Sequence, residues 1–315
     1  MVTPLRIVFF GTPEFAVPSL RALLASRHAV VGVVTQPDRP RGRGQRVSHS
    51  PVKQAATEHH VPVLQPERLR DPAFIGAISE WAPDLGVVAA YGKLITDDLL
   101  TLPQHGMINV HASLLPKYRG AAPIHRAVID GEPETGITIM RVVKTLDAGG
   151  MFAKSRRSIG PDETSAEVER DLAHLGAPLL MQVIEEIAAG TAHEEPQDAQ
   201  LSTYAPRLRR EEGLIDWVRP AQWLHNLVRG LYPWPHAYTF LDGSRLIILK
   251  SRALADPTSA APGTIVGVSR DEIEVATGDG RLALLEVQPE GRRGMRTRDF
   301  LTGRPLSVGV QLTGP

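Results

Sequence analysis

Asn109 and His111 stand two residues apart in Asn109-Val110-His111-Ala112-Ser113-Leu114-Leu115-Pro116, after an apolar run that reads as a strand. Alternate side chains of a strand share one face, so the amide and the imidazole point the same way if the strand runs through both. An amide donor beside an imidazole is what acyl transfer needs at an oxygen that turns negative in a tetrahedral intermediate. The imidazole can also accept or relay a proton from an attacking amine. The same two residues could equally close a strand and cap its loop, and spacing alone leaves both roles open.

A second chemical feature is the segment from Gln36 to Pro51, where Arg39, Arg41, Arg43 and Arg46 meet a single acid, Asp38, among prolines and glycines that disfavour a helix. Such a run is either a solvated surface loop or an arginine-rich loop that orders against phosphates and base edges. Metal chemistry finds no support. Adjacent His59 and His60 cannot both face one ion from a regular element, no His-Glu-x-x-His pair occurs, and cysteine is absent. Gly11-Thr12-Pro13-Glu14-Phe15 lacks the glycine pattern of a dinucleotide fold and reads as a strand-to-helix turn with an N-cap. Trp217, Trp223 and Trp234 offer ring faces for stacking bases, but neighbours such as Leu224 and Leu227 favour core packing.

These side chains need a frame. In the first half, short β-branched runs alternate with helix-length amphipathic segments, the pattern of a largely parallel sheet crossed over by helices. Strands are expected at 5–10, 29–35, 84–90, 106–110, 135–143 and 151–158, and helices at 75–81, 122–129 and 165–189, while Leu20, Leu23 and Leu24 mark a further helical face. Ligands gather beyond the carboxyl ends of such strands, which is where Asn109 and His111 fall. Residues 190–206 carry Pro196 and Pro206 with no sustained periodicity, so a linker is expected there, between a domain at 1–189 and another at 207–315. Beyond it, one helix carries Leu224, Leu227, Val228 and Leu231. The remaining strand-like runs, broken by Asp242-Gly243, Gly263, Gly267 and Thr277-Gly278-Asp279-Gly280, point to a small β-barrel or sandwich.

A length of 315 residues suits two domains, and 42% hydrophobic with 22% charged residues supplies a core and no case for global disorder. Thirty-five basic and thirty-five acidic side chains cancel, so a polyanionic partner must be met by a local patch. Residues 1–203 carry about −3 and 204–315 about +3, which puts such a patch on the second domain's side. The lack of cysteine excludes disulfides, thiolate metal sites and a cysteine nucleophile. It suits a reducing cytoplasm. No continuous apolar run approaches the ~18–20 residues of a membrane span, and the opening apolar stretch breaks at Gly11 and Pro13, so a cytoplasmic protein without an export signal is expected.

The stretch Asn109 to Pro116, then Arg119-Gly120-Ala121-Ala122-Pro123-Ile124, Thr135-Gly136-Ile137-Thr138-Ile139-Met140 and Leu146-Asp147-Ala148-Gly149, resembles the folate-dependent formyltransferases. Their signature is an Asn, a His two residues on and an Asp in a later L-D-x-G loop. Phe10 to Phe15, Thr35 to Pro40 with Gly42-Arg43-Gly44, Ile215-Asp216-Trp217, Pro233-Trp234-Pro235 and Ala276 to Gly280 resemble the tRNA-modifying branch of that family. The resemblance covers nearly the whole chain. It implies an α/β formyltransferase domain with a mostly parallel sheet, followed by a small OB-like β-barrel domain that grips tRNA. The implied reaction moves a formyl group from 10-formyltetrahydrofolate to the free amino group of initiator methionyl-tRNA.

By the same resemblance Asn109, His111 and Asp147 take the catalytic roles, and a carboxylate beside the imidazole would orient the ring and balance its positive charge. Ser113, Leu114, Leu115 and Pro116 would line the folate site. Arg39, Arg41, Arg43 and Arg46 would form the tRNA-binding loop, with Arg43 its key side chain. Without the resemblance, Asp147 in Thr145-Leu146-Asp147-Ala148-Gly149-Gly150 reads as a turn residue. Nothing in the sequence calls for a metal, a membrane or an obligate protein partner. A formyltransferase acting on an amino sugar nucleotide would share the three catalytic residues but has no use for an arginine-rich loop. Two further readings are a formyl-folate hydrolase, with water in place of the amine, and a catalytically inactive RNA-binding protein on the same fold.

Overall fold

In the computed structural model, which describes residues 3–41 and 46–314, the first apolar run becomes strand β1 (Arg6–Gly11), inside a seven-stranded sheet. Both its faces are covered, so it has no polar face to alternate with, and Ile7, Val8, Phe9 and Phe10 are each at most 1% exposed. The chain continues through α1 (Val17–Leu24), β2 (Ala29–Val34), a short hairpin of β3 (Arg39–Arg41) and β4 (Arg46–Ser48), α2 (Pro51–Glu58), β5 (Val63–Leu64), α3 (Pro72–Glu80), β6 (Leu85–Ala89), α4 (Asp97–Leu100) and β7 (Met107–His111). Then come β8 (Arg119–Gly120), α5 (Pro123–Ile129), β9 (Glu134–Arg141), β10 (Met151–Ser158), the long α6 (Ser165–Ala189) and β11 (Tyr204–Ala205).

The sheet runs β10-β9-β7-β6-β1-β2-β5. Neighbours from β7 to β5 pair in parallel, and β9 pairs antiparallel with β7. The chain leaves β1 for β2 on one side and later returns to lay β6 on the other, so strand order reverses at the carboxyl ends of β1 and β6. β7, with Asn109 and His111 at its end, is the next strand along. α6 is the one helix among the described residues long and apolar enough to cross a membrane by length and composition. Its apolar face is spent on the interior, with Leu172, Leu180, Val183 and Ile184 all fully buried.

In space the chain forms two units. One collects Met1–Pro123, Thr135–Arg157 and Glu169–Ala205; the other collects Ile124–Glu134, Ser158–Val168 and Pro206–Pro315. The second unit is built on α7 (Ala221–Gly230), which buries Leu224, Leu227 and Val228 on one face, and on β12 (Ala237–Leu241), β13 (Ser244–Leu254), β14 (Ile265–Val268), β15 (Ile273–Ala276), β16 (Arg281–Pro289) and β17 (Met295–Arg296), followed by α8 (Thr297–Gly303). The antiparallel order is β12-β13-β16-β15-β14.

Residues 309–313 close this sheet. Ile265 N donates to Val310 O and Leu312 N to Gly263 O, both at 2.8 Å, while Phe240 and Thr313 exchange backbone bonds of 3.1 and 3.0 Å. One segment thus pairs with both free edges, and the result is a small barrel. Trp217 sits in the core at 6% exposure, its indole N–H donating to Thr239 Oγ1 at 3.1 Å. Trp223 is half-buried under the Arg219 guanidinium. Trp234 departs from the core expectation: flanked by Pro233 and Pro235 beyond the end of α7, it lies outside the helix's apolar face and is 47% exposed.

Candidate active site

Strand β7 pairs Asn109 with Met140 and His111 with Thr138 of β9, leaving Asn109 half-buried and His111 only 5% exposed. The chain then folds back over the imidazole. His111 Nε2 lies 2.9 Å from the carbonyl oxygen of Tyr118. A carbonyl can only accept, so Nε2 carries a proton and Nδ1 is the nitrogen free to exchange one. Nδ1 stands 3.8 Å from Asp147 Oδ2, ion-pair range but longer than a hydrogen bond. The same Oδ2 accepts the backbone N–H of Gly120 at 2.8 Å. Residues far apart in sequence therefore meet at one imidazole.

The turn that brings Asp147 there is unusual. Its φ of 48° is left-handed, which costs an L-residue roughly 1–2 kcal/mol, although Asp bears it better than most. Two residues on, a Cβ at Gly149 would lie 2.0 Å from the carbonyl oxygen of Arg141, so the glycine of the L-D-x-G pattern is needed for close packing.

Residues 194–205, featureless by composition, lie along the site. Glu194 Oε1 accepts from Arg141 Nε and Nη2 at 3.0 and 2.6 Å, and Glu195 and Met151 exchange backbone bonds of 2.9 and 2.8 Å. Thr203 accepts the N–H of Tyr118 on its hydroxyl at 2.8 Å and that of Arg119 on its carbonyl at 2.9 Å. β11 then pairs in parallel with β8. The roles of Arg119, Gln197 and Thr203 escape sequence reasoning, because no period marks this polar stretch and only Arg119 lies inside a recognisable motif.

Around the expected folate residues the structure is mixed. Ser113 Oγ donates to Lys117 O at 2.6 Å, and Leu115, 1% exposed, packs with Met140 and Met151. Thr138 Oγ1 donates to Ser113 O at 2.7 Å and accepts from Leu115 N at 3.1 Å. Leu114 and Pro116 stay partly exposed. A cavity of about 610 Å³ is lined by Arg68, Arg70, Lys93, Leu94, Thr96 and Lys144 among others. The buried Thr96 hydroxyl has no partner among the described residues. Thr12 does not cap the turn after β1, where the cap position is Pro13; its hydroxyl donates to Tyr91 O at 3.2 Å and accepts from Gln36 N at 3.4 Å.

The arginine-rich segment forms the β3–β4 hairpin, with Arg39 opposite Ser48 and Arg41 opposite Arg46; Arg39 is exposed, and Arg43 lies outside the described residues. Asp38, at its base, is spent elsewhere. It takes the Lys53 ammonium and bonds of 2.9 Å from both Gln65 and His49. Chiefly through Lys53, and against the effect of burial, these partners hold its carboxyl down at about 2.

The family model described as formyl transferase matches residues 5–184, and the one described as formyl transferase, C-terminal domain, matches residues 207–305. The methionyl-tRNA formyltransferase of Geobacter metallireducens is 47% identical over 308 residues, spanning 98% of each chain. That of Bacillus subtilis is 46% identical over 305 residues, spanning 96% of each. Among solved structures, an N-formyltransferase from Helicobacter canadensis in complex with folinic acid and dTDP-3-aminofucose is similar in fold, with a TM-score of 0.67 over 90% of this chain and 99% of its own at 17% identity. Matches to both family models and near-half identity over the full length make this chain a member of the formyl transferase family, among the methionyl-tRNA formyltransferases.

Proposed function

We propose that this chain formylates the amino group of methionine on initiator tRNA, with 10-formyltetrahydrofolate as formyl donor, and that Asn109, His111 and Asp147 carry the chemistry. The observation behind the assignment of roles is the His111 ring, whose Nε2 is spent on Tyr118 O while Nδ1 faces the Asp147 carboxylate. The methionine nitrogen attacks the formyl carbon, a C–N bond forms, and the carbonyl pair moves to oxygen. Asn109 and protonated His111 donate N–H bonds to that oxygen. Asp147 balances the imidazolium and helps remove the proton that the attacking nitrogen sheds. When the pair returns, the bond to the folate nitrogen breaks, that nitrogen is protonated, and tetrahydrofolate leaves.

Ser113 to Pro116 form one wall of the folate site, Leu114 and Pro116 through their partly exposed side chains, while the bonds of Ser113 and Leu115 to Thr138 fix the turn. The cavity bounded by Lys144, on the loop that carries Asp147, falls within the ~300–1,000 Å³ of small-ligand sites. Its unpartnered Thr96 hydroxyl and the Arg68 and Arg70 of its lining, with the lining acid Asp97 paired to Lys144, fit a heteroaromatic ligand with a carboxylate tail. Arg39, Arg41, Arg43 and Arg46 meet the acceptor end of the tRNA, while Asp38 holds Lys53. The basic barrel unit grips the rest. The cysteine-free composition suits a reducing cytoplasm, where we place the reaction.

Mass spectrometry of charged initiator tRNA after incubation with the protein and 10-formyltetrahydrofolate tests this reading. A formyl gain on the methionine is expected. Transfer only to an amino sugar nucleotide, or release of formate with no transfer, overturns it.

A further inference from the structure

Gln197 lies between α6 and β11, and its carboxamide is the hub of the loop that carries Asp147. Nε2 donates to the carbonyl oxygens of Asp147 and Gly149, each at 2.8 Å. Oε1 accepts from Arg119 Nε and Nη2 at 3.0 and 2.7 Å. Both N–H groups and both lone pairs of the amide are thereby used. The orientation is unambiguous, because a guanidinium offers only donors and backbone carbonyls only acceptors. Arg119 follows Tyr118, whose carbonyl receives His111 Nε2, and precedes Gly120, whose N–H holds the Asp147 carboxylate. One half-buried side chain thus joins the turn that presents the carboxylate to the segment that touches both carboxylate and imidazole. The carbonyl it binds at Asp147 belongs to the residue held at φ 48°, a conformation that persists where surrounding contacts over-determine it.

We infer that Gln197 is a positioning residue for formyl transfer: it sets the Asp147 carboxylate against His111 Nδ1 by holding the backbone carbonyls of Asp147 and Gly149 and the Arg119 guanidinium together, without touching substrate. The inference rests on the catalytic reading of Asn109, His111 and Asp147. Misplacing a reacting group by about 1 Å can cost on the order of 100-fold in rate. Gln197→Ala is therefore expected to lower kcat by about 10–100-fold, with KM for initiator methionyl-tRNA and affinity for folinic acid unchanged. Gln197→Glu has nearly the same shape but turns a carboxylate oxygen toward two carbonyls. It should be at least as damaging, whereas a space-filling role predicts a mild effect.

A double-mutant cycle in single-turnover formylation decides the matter. If Gln197 acts through Asp147, Gln197→Ala changes the Asp147→Ala rate by less than about 2-fold. The pH profile of kcat/KM should also shift in Gln197→Ala, which a loss of stability alone does not cause. Thermal melting accompanies each variant, and Gln197→Met, similar in volume, stands in if Gln197→Ala does not fold. Near-normal rates for Gln197→Ala and Gln197→Glu beside an inactive Asp147→Ala overturn the inference and leave the site reading intact. Additive losses in the cycle also overturn it. Near-normal formylation by Asp147→Ala overturns the site reading itself, and the inference falls with it.

Discussion

With Nε2 of His111 bonded to the Tyr118 carbonyl, every proton the ring exchanges passes through Nδ1, on the side of Asp147. On the proposed reading, work at the developing oxyanion falls to Nδ1–H and to the amide of Asn109. Removing one such donor typically costs on the order of 10²–10³ in kcat. Asn109→Ala is expected to show that loss in single-turnover formylation, with folinic acid binding unchanged; a loss below about tenfold counts against the oxyanion role. Asn109 and His111 are legible as a pair in the sequence because the two-residue period of a strand is a local property. Asp147 is legible only through resemblance, since the destination of a turn residue is set by packing elsewhere. Gln197 is not legible at all: a glutamine in a polar, aperiodic stretch gives no sign of what its amide will reach.

At the scale of elements, the pairing of β8 with β11 leaves no room for a side chain at Gly120. Its φ is 119°, and a Cβ there would lie 2.7 Å from Ala205 O and 2.8 Å from the Tyr204 ring. Gly120→Ala is expected to destabilise the protein by about 1–3 kcal/mol and, because Gly120 N–H holds Asp147, to lower kcat as well. Gly76 is the control. It lies inside α3, and a Cβ there would meet nothing within 4 Å, so Gly76→Ala should stabilise by about 0.5–1 kcal/mol. Urea unfolding of both variants checks the contrast, and equal stability for the pair refutes it. The long strands of the sheet fall close to where periodicity puts them, because runs such as Leu85 to Ala89 are buried without interruption. Helix α2 goes unread, although Ser50 and Pro51 mark its start: Ser50 Oγ accepts Lys53 N at 3.1 Å and Pro51 fills the first helical position. The β3–β4 hairpin goes unread because arginine, glycine and proline carry no strand signal.

At the scale of the molecule, the two units differ in what acid does to them. His125, His225 and His236 all belong to the second unit, and burial first of all holds each below the ordinary imidazole range, His125 down to about 4 with help from Arg126. These rings stay neutral when folded, while the unfolded chain takes up protons near 6.5. Their contribution is fully present above that value and is lost as pH falls below it, for His125 down to about 4. In the first unit, Asp38 keeps its charge to about 2, so its contribution survives the same range. Calorimetry between pH 7 and 4.5 should therefore show the second unit's transition moving down ahead of the first; parallel movement of both contradicts this. The barrel of that second unit raises a separate matter of timing. Residues 309–313 occupy the gap between Phe240 and Gly263 to Ile265, so before they arrive both neighbours are open edges of the kind on which sheets from different molecules pair. Phe240 leaves the ribosome roughly seventy residues ahead of Thr313, which at about 5–20 residues per second is a delay of roughly 4–15 s. Throughout that interval the nascent barrel depends on chaperones, or on dilution, to keep its unpaired edges apart from those of other copies.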